Sequence, residues 1–308
     1  MRFLITGAAG FIGSTLANAL VREGHSVRGV DDCSTGDPAV LSPDVLFTRG
    51  DVNDRPKLWT LLQDVDCVYH LAARVLVPES TLYPREYNQV NVGGTVTLME
   101  AMRDVGVRRV VFASSGAIYG DQVIQPVQED AIPAPRSPYA VSKLAAEYYV
   151  QTIGDLWGIE PVCLRIFNAY GPGQHLPPVH APLIPNLLRQ AALNGTIIIN
   201  GDGLQTRDYV YVDDVITAML AAATAPNVNR QIINVGSGVE TSVREIARLV
   251  QEIINTKPEV VFNPRSERGP ARMCADLRKA RALLNYQPSI TLENGLRLTL
   301  ERDARLRA

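Results

Sequence analysis

Short apolar runs alternate with segments of helical periodicity through the first half of the chain. Residues 2–6, 26–30, 45–48, 66–71, 108–113 and 160–166 are short segments centred on Val, Ile, Leu and aromatic residues and read as buried strands. Between them, 11–23, 54–63, 84–105 and 138–157 carry apolar residues every three to four positions and predict amphipathic helices. Strands alternating with helices imply a parallel sheet covered on both sides, a Rossmann-like doubly wound α/β core. The rhythm changes after about residue 170. Helices are predicted at 182–193, 213–224 and 242–255, strands at 196–200, 231–235 and 259–262, and two short helices finish the chain. The expected division is a dinucleotide-binding domain over 1–170, with part of 205–240 returning to it, and a smaller α/β C-terminal substrate lobe over 171–308. The cleft is expected between them.

Composition narrows the function classes. At 308 residues and 46% hydrophobic the chain buries a full core, and a net charge of −2 without runs of one sign disfavours nucleic acid as a partner. Four cysteines at 33, 67, 163 and 274 and four histidines show no metal-ligand spacing, so no metal is expected and the thiols read as reduced. The chain passes from Met1-Arg2 straight into the first predicted strand, and no apolar run approaches the ~18 residues of a membrane span. A cytoplasmic protein without signal peptide or membrane contact is the expectation.

The first strand is joined to the first helix by Thr6-Gly7-Ala8-Ala9-Gly10-Phe11-Ile12-Gly13. Glycines three apart permit a tight turn, close approach of backbone to a pyrophosphate, and close helix packing, while the helix N-terminus supplies amide donors. Val30-Asp31-Asp32 ends the second strand 18 residues after Gly13, where an acid suits ribose hydroxyls and repels a 2′-phosphate, favouring NAD over NADP. The same acids also suit capping the following turn. Asp51, after the third strand, is placed to meet adenine. His70-Leu71-Ala72-Ala73 ends the fourth strand in small residues, which fits a backbone crowding a cofactor and fits a buried strand equally well.

Tyr139-Ala140-Val141-Ser142-Lys143 carries the chemistry. A Tyr and a Lys four apart share a helix face, and Ser137-Pro138 before them reads as an N-cap and first helical residue. A neighbouring ammonium and the helix dipole both favour the phenolate, so the Tyr139 pKa is expected to be lowered until it serves as a base. Phe112-Ala113-Ser114-Ser115 follows the fifth strand, whose carboxyl end faces the ligand crevice; Ser115 is the expected partner of Tyr139, with Ser114 the alternative. Arg207, with an Arg from 265–272, fits a substrate diphosphate, since guanidinium matches phosphate geometry.

With these residues in place the chain resembles the extended short-chain dehydrogenase/reductase family, in its nucleotide-sugar epimerase/dehydratase branch. TGAAGFIG, VDD, GDV, HLAA, ASSGAIYG, SPYAVSK, RIFNAYGPGQ, GDGLQTRDYVYVDDV and INVGSG occur in the family's order over about residues 2–300. The resemblance implies NAD as cofactor and Ser115, Tyr139 and Lys143 as catalytic residues. It implies cofactor contacts at Gly7, Gly10, Phe11, Ile12, Gly13, Asp31, Asp32, Cys33, Ser34, Gly36, Asp51, Val52, Leu71, Ala72, Ala73, Asn91 and Phe167. Asn168, Arg207 and Arg268 are implied at the nucleotide diphosphate, although Arg268-Gly269-Pro270 departs from the usual Arg-x-Gly-Asp pattern. Dehydratases of this branch carry an Asp–Glu pair where this chain has Gly116 and Ala117, which transfer no proton.

What the resemblance then implies is 4-epimerisation, with UDP-glucose/UDP-galactose the commonest substrate pair. A UDP-glucuronate or UDP-N-acetylhexosamine 4-epimerase and a nucleotide-4-ketosugar reductase are alternatives within the fold. A non-catalytic dinucleotide sensor is the alternative of another class. The resemblance also implies a homodimer through helices 84–105 and 138–157, with Val92, Val96, Met99 and Met102 as interface candidates that suit a core role equally well.

Overall fold

The computed structural model describes residues 1–254, 258–263 and 270–306. Seven parallel strands form the main sheet: β1 (Arg2–Thr6), β2 (Ser26–Asp31), β3 (Val45–Arg49), β4 (Cys67–His70), β5 (Arg109–Ser115), β6 (Glu160–Ile166) and, after three strands that belong to other sheets, a late strand at Gln231–Val235. Their order is 231–235, β6, β5, β4, β1, β2, β3. The order reverses between β1 and β4, so the carboxyl ends of these two strands open the crevice that doubly wound sheets use for ligands. Residues 231–235 pair in parallel with β6, with Val235 opposite Ile166.

Helices cover both faces. On one lie α1 (Phe11–Arg22) and a helix at Val212–Thr224; on the other lie α2 (Arg55–Leu61), the run ending in Gly94–Val105, and Pro138–Trp157. Two apolar cores result, one around Leu16, Leu20 and Val111, the other around Leu98, Phe112 and Val150. Ser137 caps the helix at 138–157: its hydroxyl accepts from the Ala140 amide at 3.1 Å, Pro138 takes the first turn, and Gly158 ends it at φ +68°. Such a cap contributes about 1 kcal/mol to the placement of Tyr139.

The helix expected over 84–105 is present with a π-type turn at Asn88–Gly93 inside it, and short helices at Val77–Leu82 and Pro84–Tyr87 precede that turn. Its inward face takes Met99 and Met102, both fully buried in the second core. They pack against the sheet side and are therefore unsuitable as interface residues, whereas Val92 and Val96 are half-buried.

The second lobe contains strands the hydrophobic pattern did not separate. Asn168–Tyr170 pairs in parallel with Thr206–Tyr211, which pairs antiparallel with Glu240–Ser242. Thr196–Asn200 pairs in parallel with Glu259–Asn263. Asp208, fully buried, ties this lobe together by accepting from the amides of Ser237, Gly238 and Ala275 at 2.6, 2.9 and 3.1 Å. No helix among the described residues is long and apolar enough to cross a membrane.

Candidate active site

A cleft of about 1940 Å³ runs from the glycine turn across the carboxyl ends of the sheet into the second lobe. Single-ligand pockets run to roughly 1,000 Å³, so this volume suits a dinucleotide and a second ligand together.

The floor is backbone. Gly7 adopts φ +72°, and a Cβ there would lie 2.7 Å from the Ala72 nitrogen; a Cβ on Gly13 would lie 2.0 Å from the Gly7 carbonyl oxygen. Gly36 presses on the same turn, 2.5 Å from Ala9 by the same measure. These contacts leave no room for side chains, and they bring α1 against the turn with its first amides facing the cleft. Gly10, Phe11, Ile12, Asp32, Ser34, Val52 and Leu71 to Ala73 line the same stretch.

Asp31 accepts from the Ala9 amide at 3.0 Å and the Cys33 amide at 2.8 Å, so it caps its own turn while facing the cleft. Burial pushes its carboxyl upward and those amides oppose the rise. Asp32 accepts from the Ser34 amide at 2.8 Å, and Asp51 from the backbone and side-chain nitrogens of Asn53 at 2.8 and 2.9 Å. The fit to NAD is good: a side-chain-free cradle for the pyrophosphate, and an acid at the end of β2.

Two expected cofactor contacts sit elsewhere. Asn91, inside the π-type turn, is buried, and its amide is spent on the Arg74 backbone (2.8 and 3.0 Å) and the Ser142 hydroxyl (2.9 Å). It supports the cleft wall from behind. Cys33 takes φ +60° and lies outside the lining, its thiol toward the Asp31 carbonyl. His70, also buried, bonds Thr6 at 2.7 Å and Thr95 at 2.9 Å; burial pushes it down to about 3, so it is neutral and ties β4 to β1.

Where β5 ends, the Ser115 hydroxyl accepts from the Ala117 amide at 3.2 Å and lies near enough to the Tyr139 phenol to lower its pKa. Ser114 points the other way, its hydroxyl donating to the buried Glu147 carboxylate at 2.6 Å, which leaves Ser115 as the hydroxyl available to the cleft. Lys143 is 4% exposed, with its ammonium 4.4 Å from the Phe112 ring centroid. Burial lowers Lys143 to about 8, and the Glu147 carboxylate opposes that fall.

Tyr139 departs from the expected direction. Burial raises its phenol, and the nearby Ser115 hydroxyl pulls it back only in part. Sequence spacing takes no account of desolvation, which disfavours a charged phenolate in a deep wall. Gly116, next to Ser115, lies against Phe167: a Cβ there would sit 3.1 Å from the ring.

On the substrate side, Asn168 donates to the Asp208 carbonyl at 3.1 Å and Arg207 to the Thr206 carbonyl at 2.7 Å, and both line the cleft. Burial works against the charge on Arg207. Arg265 and Arg268 lie outside the described residues. Arg272 is held by Glu240 at 2.6 and 2.8 Å, so it is not free to clamp a phosphate. Arg136, Gln205, Tyr209, Met273 and Arg305 also line the cleft and escaped sequence reading. Arg136 adjoins the Ser137 cap, the one local signal among them. Among the described residues no cluster of His, Cys, Asp or Glu is fit to hold a metal ion.

Known proteins share this arrangement. A UDP-glucose 4-epimerase of Mycolicibacterium smegmatis is 39% identical, with 98% of each chain covered. The solved UDP-glucose 4-epimerase of Thermotoga maritima with UDP-glucose superposes at TM-score 0.93, with 34% identity and 98% of each chain covered. The UDP-glucuronic acid 4-epimerase of Bacillus cereus, solved with UDP-glucuronic acid and NAD, gives 0.89 at 33% identity over 98% of each chain. The model of the NAD dependent epimerase/dehydratase family matches residues 3–236. On that match and the cleft that underlies it, this chain belongs to the NAD dependent epimerase/dehydratase family, and its cofactor is NAD.

Proposed function

We propose that the chain inverts C4 of a nucleotide-diphosphate sugar, UDP-glucose/UDP-galactose being the best-supported pair. The observation that carries the reading is Ser115, Tyr139 and Lys143 gathered at the end of β5 beside Gly116 and Ala117, where no acid pair stands to remove water. The relatives named as UDP-glucose 4-epimerases support the same reading.

NAD, held by the Gly7–Gly13 cradle and Asp31, would supply reversible hydride acceptance at C4. Tyr139 takes the proton of the 4-hydroxyl and later gives one back, with Ser115 bonding the oxygen at which charge develops. The Lys143 charge favours the phenolate against the burial that opposes it. Asn168 and Arg207 hold the diphosphate, leaving the 4-keto sugar free to present its other face. The NAD-binding lobe is 1–167 with the helix at 212–224 and the strand at 231–235, and the substrate lobe is the remainder.

A second copy pairs through the helix at 138–157, where Val141, Tyr148, Tyr149 and Leu156 form an exposed apolar stripe. The reading of a cytoplasmic enzyme draws support from four free cysteines.

Purified protein is incubated separately with UDP-galactose, UDP-glucuronate and UDP-N-acetylglucosamine, and products are separated by chromatography. UDP-galactose is expected to yield UDP-glucose without net oxidation of NADH. Inversion of UDP-glucuronate alone moves the reading to the relatives solved with that sugar, and stoichiometric oxidation of a reduced cofactor replaces it with a reductase.

A further inference from the structure

Glu147 is a buried charge that the proton-transfer scheme leaves unused. The helix at 138–157 places Tyr139, Lys143 and Glu147 at successive spacings of four, on the face toward the sheet. Glu147 is fully buried. Its Oε2 accepts from Ser114 Oγ at 2.6 Å and from Arg165 Nε at 3.2 Å, and its Oε1 from Arg165 Nη2 at 2.7 Å. Arg165 continues to the Tyr119 hydroxyl at 2.8 Å and the Glu129 carbonyl at 2.9 Å, and Tyr119 donates to Asn234 Oδ1 at 2.7 Å. One carboxylate thus joins the catalytic helix to β5 and β6 and, through Arg165, to the turn after Ser115.

Its neighbours give the contacts a consequence. Ser114 and Ser115 are adjacent on β5, and adjacent strand residues point to opposite faces. Locking Ser114 onto Glu147 therefore sets the direction in which Ser115 enters the cleft. Lys143 lies one helical turn before Glu147 and faces Phe112 on β5, Cys163 on β6 and the neutral His70 on β4, while Arg165 on β6 is paired with Glu147. Burial keeps the Cys163 thiol protonated, so Glu147 is the anion of this group. Burying an ion pair is costly and adds little stability over apolar packing, so stability alone is a poor reason for this one.

We propose that Glu147 is a positioning residue: it aligns Ser115 with Tyr139 and supplies the negative charge that keeps the buried Lys143 protonated. This rests on the epimerase reading. The isosteric Glu147→Gln removes the charge and keeps the shape. In the NAD-loaded enzyme, kcat is expected to fall at least ~10-fold with KM within about twofold, and the alkaline limb of the kcat profile to move down by about one pH unit.

An activity-independent readout follows the protein's four lysines by ¹³C labelling at Cε. The Lys143 midpoint, identified by its absence in Lys143→Met, is expected to move down in E147Q while the other three stay. Ser114→Ala keeps the charge, so it is expected to lower kcat and leave the midpoint alone. A folded E147Q with unchanged kcat, or with lowered kcat but an unmoved limb and midpoint, overturns the proposal. Should E147Q not fold, Glu147→Asp decides: it keeps the charge and shortens the reach to Ser114. A wild-type midpoint with lowered kcat supports the proposal, and wild-type rates in both E147D and S114A overturn it. Failure of the epimerase reading is distinct, since the wild type would then invert no sugar.

Discussion

Replacing Lys143 by Met is expected to stabilise the protein while abolishing turnover. The ammonium is 4% exposed, and its pKa is pushed down from 10.5 to about 8 by burial, with Glu147 already opposing. At ~1.4 kcal/mol per pH unit, holding that charge inside costs about 3 kcal/mol. The lost ammonium–Phe112 contact offsets about 1 kcal/mol of the gain. With an unfolding entropy of ~2.1 cal/mol/K per residue, the net gain raises the melting temperature by about 3 to 5 °C.

The sign depends on pH. The folded-state pKa lies below that of the unfolded chain, so the cost is full below pH 8 and disappears as pH rises through 10.5. Calorimetric melts of both proteins at pH 7, 8, 9 and 10 are therefore expected to converge as pH rises. A mutant that melts lower at pH 7, or a gain that does not change between pH 7 and 10, would refute the argument.

Tyr139→Phe removes the proposed proton acceptor and leaves the cradle, so turnover is expected to drop by ~10³-fold or more with NAD still recovered from the denatured protein; unchanged turnover would remove Tyr139 from that role. Gly13→Ala puts a methyl 2.0 Å from the Gly7 oxygen, forcing α1 off the turn; NAD content measured by absorbance is expected to collapse, and full retention would show the turn has slack. Tyr148→Glu with Leu156→Glu charges the stripe on the helix at 138–157. Sedimentation is expected to show a dimer becoming monomer at micromolar concentration, and an unchanged dimer would place the interface elsewhere.

Local chemistry explains what could be read along the chain. A strand, three glycines and a helix are contiguous, so the cradle is visible as a string, and Asp31 follows at the end of the next strand. Tyr139 and Lys143 share a helical face because four residues make about one turn, and Ser137-Pro138 marks where that turn begins. The sequence preferred Ser115 over Ser114, but the physical ground for that choice was not visible. It depends on which face of β5 meets Glu147, a contact between residues 33 apart. Met99 and Met102 illustrate the same limit: periodicity shows a stripe and cannot say whether it meets the sheet or a second chain.

The alternation of buried strands with amphipathic helices, and the candidates proposed to cradle a dinucleotide and move a proton, were legible in the sequence alone. Both depend on residues within a turn or two of each other. Tertiary structure decided the rest: the return of residues 231–235 to the sheet, the pairing of 168–170 with 206–211 that brings Asn168 and Arg207 to the cleft, and the upward pull on Tyr139. Strand partners far apart in sequence are selected by the apolar surface they jointly bury. A pKa is set by how much water the finished fold excludes, and neither quantity exists until the chain has closed on itself.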